Sequence, residues 1–292
     1  MSEIRVDTIS EKTSANGVAV DGVTLKDGNV GAAGTATSVA GIPLFTADNS
    51  IYTHDVSGTD STASSNAAYG LTALDAITTG DSNVAVGYGA GGAVTTGNKN
   101  TFVGASSGLG TTTADFNTGV GMLALTANTE GANNTGVGLQ ALANNSTASN
   151  NTAVGFQALL SNSTGEVNSA FGSLALAANT VGFGNTAVGR STLAANITGD
   201  NNVALGHQAL DNADAENNNL AIGRDALGGA INGGEFNVAI GNYSLDALTS
   251  GDKNTAVGYN AGSDLTTGSE NTAMGESALA ANTTASYNTA VG

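Results

Sequence analysis

From residue 66 onward, apolar and polar positions recur along the chain on a fixed period. An Asn stands at 66, 83, 100, 117, 134, 151, 168, 185, 202, 219, 237, 254, 271 and 288. Every interval is 17 residues except the 18 between Asn219 and Asn237, where GGAINGGEF carries one extra residue. Four positions after each Asn comes a Gly, from Gly70 to Gly292, and the residue before that Gly is always apolar, from Tyr69 to Val291. The third position is Ala except at Phe102, Gly119 and Gly136; the eighth is Ala, Ser or Thr; the ninth is Leu in ten coils and Gly at 91, 108 and 262. Turn-formers such as Thr78-Thr79-Gly80 occupy positions 13 to 15, and Asn49 begins a degenerate first coil that lacks the Gly.

Seventeen residues are too few for a helix pair or a propeller blade. The pattern predicts an all-β fold: a parallel β-solenoid, or β-roll, of about fourteen 17-residue coils, each with two short strands and two turns, over residues 49–292. Side chains alternate along a strand, so positions 2 and 4 share one face and positions 1, 3 and 5 the other. The Thr/Val/Leu and Val/Ile/Leu columns at 2 and 4 read as the inside of the coil. The Asn, Ala and Gly columns then form a small-residue outer face, suited to close approach by a second copy; the alternative is a cramped turn and interior within one chain. On the first reading Ala256 lies at an interface between copies. The Gly is expected to end the strand in a conformation that a Cβ disfavours. The Asn is expected to cap the preceding turn and to bond to its equivalents in adjacent coils. At ~4.8 Å per coil, fourteen coils extend roughly 65 to 70 Å.

Residues 1–48 do not repeat. IRVDTIS and GVAVDGVTLKDG read as short alternating strands, the second turning at Asp21-Gly22, followed by a linker that holds the only proline, Pro43. This is a separate N-terminal module, with Arg5, Lys12 and Lys26 among the chain's seven basic residues.

Composition narrows the function. A formal net charge of −17, from 24 acidic and 7 basic residues, argues against nucleic acid as a partner. With no Cys there is no disulfide framework and no thiolate site. The opening MSEIRVD lacks the features of a signal peptide, and no run approaches the ~18 apolar residues of a membrane span, so synthesis in the cytoplasm without membrane insertion is expected.

The repeated N-[TSV]-A-[VIL]-G resembles the N-S-V-A-I-G strand in the head repeats of YadA-type trimeric adhesins, over roughly residues 66–292. That resemblance implies a three-chain bundle of parallel β-rolls. The family's usual coil is shorter, and its export signal and C-terminal barrel have no counterpart here. MSEIRVDTISEKTSANGVAVDGVTLKDG is similar to the N-terminal segment of bacteriophage tail-fibre proteins. Together the resemblances imply a homotrimeric tail fibre of the virion, made in the host cytoplasm. It would join phage tail or adaptor proteins through residues 1–48 and project toward a host surface glycan. A bacterial surface adhesin of the trimeric autotransporter type is the alternative. An ice-binding solenoid is a third reading, disfavoured because the second-position threonines are flanked by Asn and Ala. The last coil stops at NTAVG, which leads to the expectation that the natural chain continues past Gly292 or meets another protein there.

No catalytic residue, cofactor or metal ligand is assigned. The acids, such as Asp81, Asp200, Asp252 and Glu270, are scattered in turns and read as solvated, with no calcium repeat among them. The histidines are His54 and His207; His207 occupies the sixth position between Arg190 and Arg224, a stripe that reads as exposed decoration before any anion site. Tyr88, Phe156 and Tyr259, also at the sixth position, are a weak candidate surface for stacking sugars.

Overall fold

Each repeat places one three-residue strand on a common sheet. The computed structural model describes residues 62–292, and before them only the strand backbones at 45–47 and 50–52; the expected N-terminal strands, the linker and His54 lie outside the described residues. Strands β1 (Phe45–Ala47) and β2 (Ser50–Tyr52) pair antiparallel. From β3 (Ala67–Tyr69) to β16 (Thr289–Val291) all strands are parallel and in sequence order. Equivalent residues oppose each other throughout, as in Thr152 with Ser169, Ala153 with Ala170 and Val154 with Phe171. The extra residue after Asn219 does not disturb this register, since Leu220 still opposes Val238. Between β2 and β3 the pairing slips by one position, Ile51 facing Ala67, in the coil at Asn49 that lacks the motif Gly.

The protein is therefore the expected parallel β-solenoid, but each coil carries one strand rather than two. The rest of the coil is a chain of tight turns, and no helix occurs among the described residues. The turns depend on left-handed backbone at fixed places. Position 5 Gly has φ near +137°, as at Gly70, and positions 7, 9 and 17 hold φ of about +50° to +63° even where the residue is Gln157, Leu159 or Val167. Left-handed backbone costs an L-residue about 1–2 kcal/mol, so each coil is strained in isolation and relies on its neighbours. At position 5 glycine is required twice over. Besides its φ, a Cβ on Gly70 would lie 2.5 Å from the carbonyl oxygen of Gly87 in the next coil.

The two faces of the strand are the reverse of the expectation. Ala153, Ala170 and the other third-position alanines from Ala68 to Ala273 are buried, as are Asn134, Asn151 and Asn168, while Ala290 in the last strand is partly buried. Positions 2 and 4 point outward, with Val86 39% and Phe171 42% exposed. The reason is the narrowness of the coil. Third-position residues face the eighth-position alanines and ninth-position leucines of the opposite wall, and only a methyl group fits between. Even at Gly136 an added Cβ would sit 3.0 Å from the Ala141 carbonyl oxygen and 3.4 Å from Leu125 Cγ. Phe102 is the informative exception: buried, it fills room left by three glycines. A Cβ on Gly91 or Gly119 would come within 3.0 or 3.1 Å of its ring, and one on Gly108 would overlap it. Core volume is conserved although residue size is not. Of the two readings left open by the sequence, the cramped interior is the one realised.

Buried Asn side chains tie the coils together. Each motif Asn accepts, through Oδ1, the backbone N–H of the motif Asn in the next coil at 2.8–3.0 Å, from Asn83 on Asn66 to Asn288 on Asn271. Its Nδ2 generally donates to the position 15 carbonyl of its own coil, as Asn151 does to Gly165 O at 2.8 Å. A second asparagine ladder at position 12 went unnoticed in the sequence. In it Asn145, Asn162, Asn179 and Asn196 each donate Nδ2 to the Oδ1 one coil earlier, at 2.8–2.9 Å. Outside those coils position 12 is mostly apolar, with Ile77, Val94, Leu248 and Leu265 buried instead, and Thr111 and Asn282 as polar exceptions. Hydroxyls at position 13 form a third ladder, exemplified by Thr78 Oγ1 donating to Thr95 O. Asn151→Ala is expected to leave the buried Asn168 N–H unpaired and to lower stability by about 1–3 kcal/mol. In thermal or denaturant unfolding, Thr147→Ala at an exposed turn should change little by comparison.

Candidate functional site: an outward apolar face

With Asn and Ala inside, the outer face of the sheet consists of two ranks that run the length of the solenoid. Position 4 presents Tyr69, Val86, Val103, Val120, Val137, Val154, Phe171 and their successors to Val291. Position 2 presents Thr, Ser or an aliphatic residue. From Ala67 to Val291 neither rank contains a charged side chain, although the chain carries 24 acidic residues. The Gly at position 5 turns the chain so that position 6 borders the face, adding exposed Leu71, Tyr88, Met122 and Phe156 in the earlier coils and polar residues such as Arg190, Arg224 and Glu276 in the later ones. The uncharged strip, three residues wide and thirteen coil steps long, covers roughly 600 Å². Monomeric proteins seldom leave so large an uncharged surface with an unbroken apolar rank in water, and its area approaches one side of a standard protein–protein interface. The second-position threonines thus stand in outward ranks beside apolar residues, not between Asn and Ala.

The sixth-position candidates are only partly brought together. Arg190 Nη1 lies 3.2 Å from His207 Nε2. Arg224 does not continue that contact; its Nε pairs with Asp225 Oδ2 at 2.9 Å and its guanidinium lies over the Tyr243 ring, 5.5 Å from the centroid. Tyr259 meets Tyr243 edge-on, with centroids 6.0 Å apart. Tyr88 and Phe156 stand four coils apart and form no common surface with Tyr259. Tyr243, a seventh-position residue, is the partner that the sequence reading overlooked.

Several turn acids have structural partners rather than water alone. Asp81 Oδ1 accepts the Ser64 N–H at 2.7 Å, Asp200 Oδ1 that of Phe183 at 2.7 Å, and Asp252 Oδ1 that of Glu235 at 2.9 Å. Each satisfies an amide of the preceding coil from position 16. Glu270 is exposed, as expected. Burial pushes the carboxyls of Asp211 and Asp246 up from the ordinary carboxylate value, and for Asp246 the charges of Asp264 and Asp225 add to the effect. Asp246 Oδ1 is buried without a hydrogen-bond partner. Among the described residues no group of three or more His, Asp or Glu is placed to hold a metal ion, and no helix is long and apolar enough to cross a membrane.

No protein-family model, curated protein or solved structure matches the chain.

Two outcomes follow from this geometry. Ala256 is fully buried, so Ala256→Phe should overpack the coil and lower its unfolding temperature whatever the state of assembly, whereas Tyr259→Ala should not. Asp246→Asn should raise the unfolding temperature at neutral pH. The sign is fixed by a folded-state pKa above the unfolded one: the ionised carboxylate is disfavoured by folding, and that penalty vanishes once pH falls below the unfolded value. The advantage of the variant should therefore shrink on acidification.

Proposed function

We propose that the chain is a structural protein that assembles as a homotrimer through its outward apolar face, forming the shaft of a bacteriophage tail fibre. The observation that carries the reading is the pair of uncharged ranks running unbroken from β3 to β16 on a chain of net charge −17. Charged residues are depleted from the cores of protein–protein interfaces, and here they are absent from every second and fourth position. In a parallel bundle about a rotation axis, each rank meets its own equivalents at the same height. A Val or Thr that suits one coil then suits all three chains. The surfaces away from this face carry the acids, which keeps finished fibres from sticking to one another.

The virion assignment rests on the two resemblances. The repeat resembles trimeric adhesin heads, and residues 1–48 resemble the segment by which tail fibres join the tail or its adaptors. On this reading the solenoid is a spacer of roughly 60 Å that holds a host-contacting surface away from the particle, with a surface glycan as the natural target. It is not an enzyme.

Light scattering in solution tests the assembly. The expected mass is three times the 28.3 kDa of one chain. Val137→Lys together with Val154→Lys should abolish the trimer, while Thr147→Lys with Thr164→Lys, on exposed turns of the same coils, should leave it intact. A stable, soluble monomer of the unaltered chain would sink the proposal.

A further inference from the structure

Asparagine is abundant here, and at positions 1 and 12 it is held in ladders; Asn232 is held differently. The extra residue between Asn219 and Asn237 is absorbed in the bend 228–233, which ends in Asn232-Gly233. Both residues are exposed. Gly233 has φ +100°, and nothing lies within 4 Å of where its Cβ would stand. The Asn232 side chain makes no hydrogen bond to the described residues, while its backbone N–H donates to Thr249 O. The N–H of Gly233 points at a carboxylate, donating to Glu216 Oε1 at 2.8 Å. Glu216 itself is buried, its other oxygen accepting the N–H groups of Asp214 and Ala215 at 2.9 and 3.1 Å.

From this arrangement we infer that Asn232 is a site of spontaneous deamidation, with Glu216 as the acceptor that draws the proton from the attacking nitrogen. The backbone nitrogen of Gly233 bonds to Cγ of Asn232, the Cγ–Nδ2 bond breaks, and the side-chain nitrogen leaves as ammonia. It carries away, by way of the carboxylate, the proton that Gly233 nitrogen gives up. The product is a five-membered succinimide, which water opens to aspartate or isoaspartate. Glycine allows the approach because no side chain blocks it and its backbone turns freely.

The ladder asparagines have the same functional group and none of the opportunity. Their Nδ2 groups donate within the stack, and the Oδ1 of most of them accepts there too, as Asn151 does from Asn168 N–H. The nitrogen that would attack, at position 2, donates to a carbonyl one coil on, as Thr152 N does to Asn168 O at 2.9 Å. A carbonyl accepts a hydrogen bond but cannot take up the proton. The consequence of conversion is local: it adds a negative charge beside Glu216 and Glu235. In the isoaspartate form it also lengthens the backbone at the only coil with an insertion. The bonds from residues 232 and 233 to Thr249 and Glu216 would then be lost, which marks this bend as the place where an ageing solenoid loosens first.

Peptide mapping by mass spectrometry after prolonged incubation of the folded, full chain at mildly alkaline pH tests this. The expected result is conversion at Asn232, with the ladder asparagines unchanged; in denatured chain that contrast should shrink. Glu216→Gln, provided its circular dichroism and melting match the parent, should slow conversion at Asn232. If that variant does not fold, a comparison of Asn232 in folded chain with the peptide AINGGEF replaces it, the folded chain being expected to convert at least as fast. Asn232 remaining intact in folded chain while the peptide converts would overturn the inference, as would unchanged conversion in folded Glu216→Gln.

Discussion

The structure depends on each coil finding its hydrogen-bond partners in the coils above and below it. A strand of three residues has almost no sheet of its own, and the turns that complete the coil place residues such as Leu159 and Val167 in left-handed backbone. What offsets that cost is the stack. The amide after each motif Asn donates to a carbonyl one coil on, as Thr152 N does to Asn168 O, and the motif Asn's own amide donates to the Asn side chain one coil back. The second bond is the one the backbone alone cannot make, because the chain is turning there. Asn is the residue whose side chain reaches back to replace it, at the same height in every coil. Stability is then a sum of nearest-neighbour terms, and the chain buys length by repetition.

That principle explains which parts of the fold were legible beforehand. The period, the parallel stacking, the Asn ladder and the strand-ending Gly follow from a column repeated fourteen times, and the structure has them all. The facing of the strand did not follow. Val and Ile look like core and Ala looks like surface only if the interior has an ordinary width. Here the opposite wall stands so close that Gly136 has hardly space for a Cβ. The clue was present in compensation: Phe102 stands one coil from both Gly91 and Gly119 and shares its own coil with Gly108, a pattern that makes sense only if these positions share one cavity. The position 12 ladder was equally visible as a run of Asn at 128, 145, 162, 179 and 196. It was missed because it is continuous only through the middle coils, with mostly apolar residues on either side.

Reversing the strand changes the functional reading in substance. A small-residue outer face would have implied backbones in near contact. The actual face is an uncharged strip of aliphatic and hydroxyl side chains with an unbroken apolar rank, the kind of surface that associates by burying apolar area. The sixth-position stripe, by contrast, resolves into local pairs: Arg190 with His207, Arg224 with Asp225 and Tyr243. Each side chain there has a partner, so the uncharged face of the sheet rather than that stripe is where the solenoid's unpaired outward surface is concentrated.

The chain contains no cysteine, which makes the central claim directly accessible to single-site cross-linking. Cysteine placed at Val154 faces outward on the proposed interface, while cysteine at Ala153, the adjacent residue, faces the closed interior. Under mild oxidation the account predicts chain-to-chain disulfides from Val154→Cys, and from Ala153→Cys a thiol that stays unreactive until the protein is unfolded. Disulfides from Ala153→Cys, with Val154→Cys freely labelled as an exposed thiol, would contradict it.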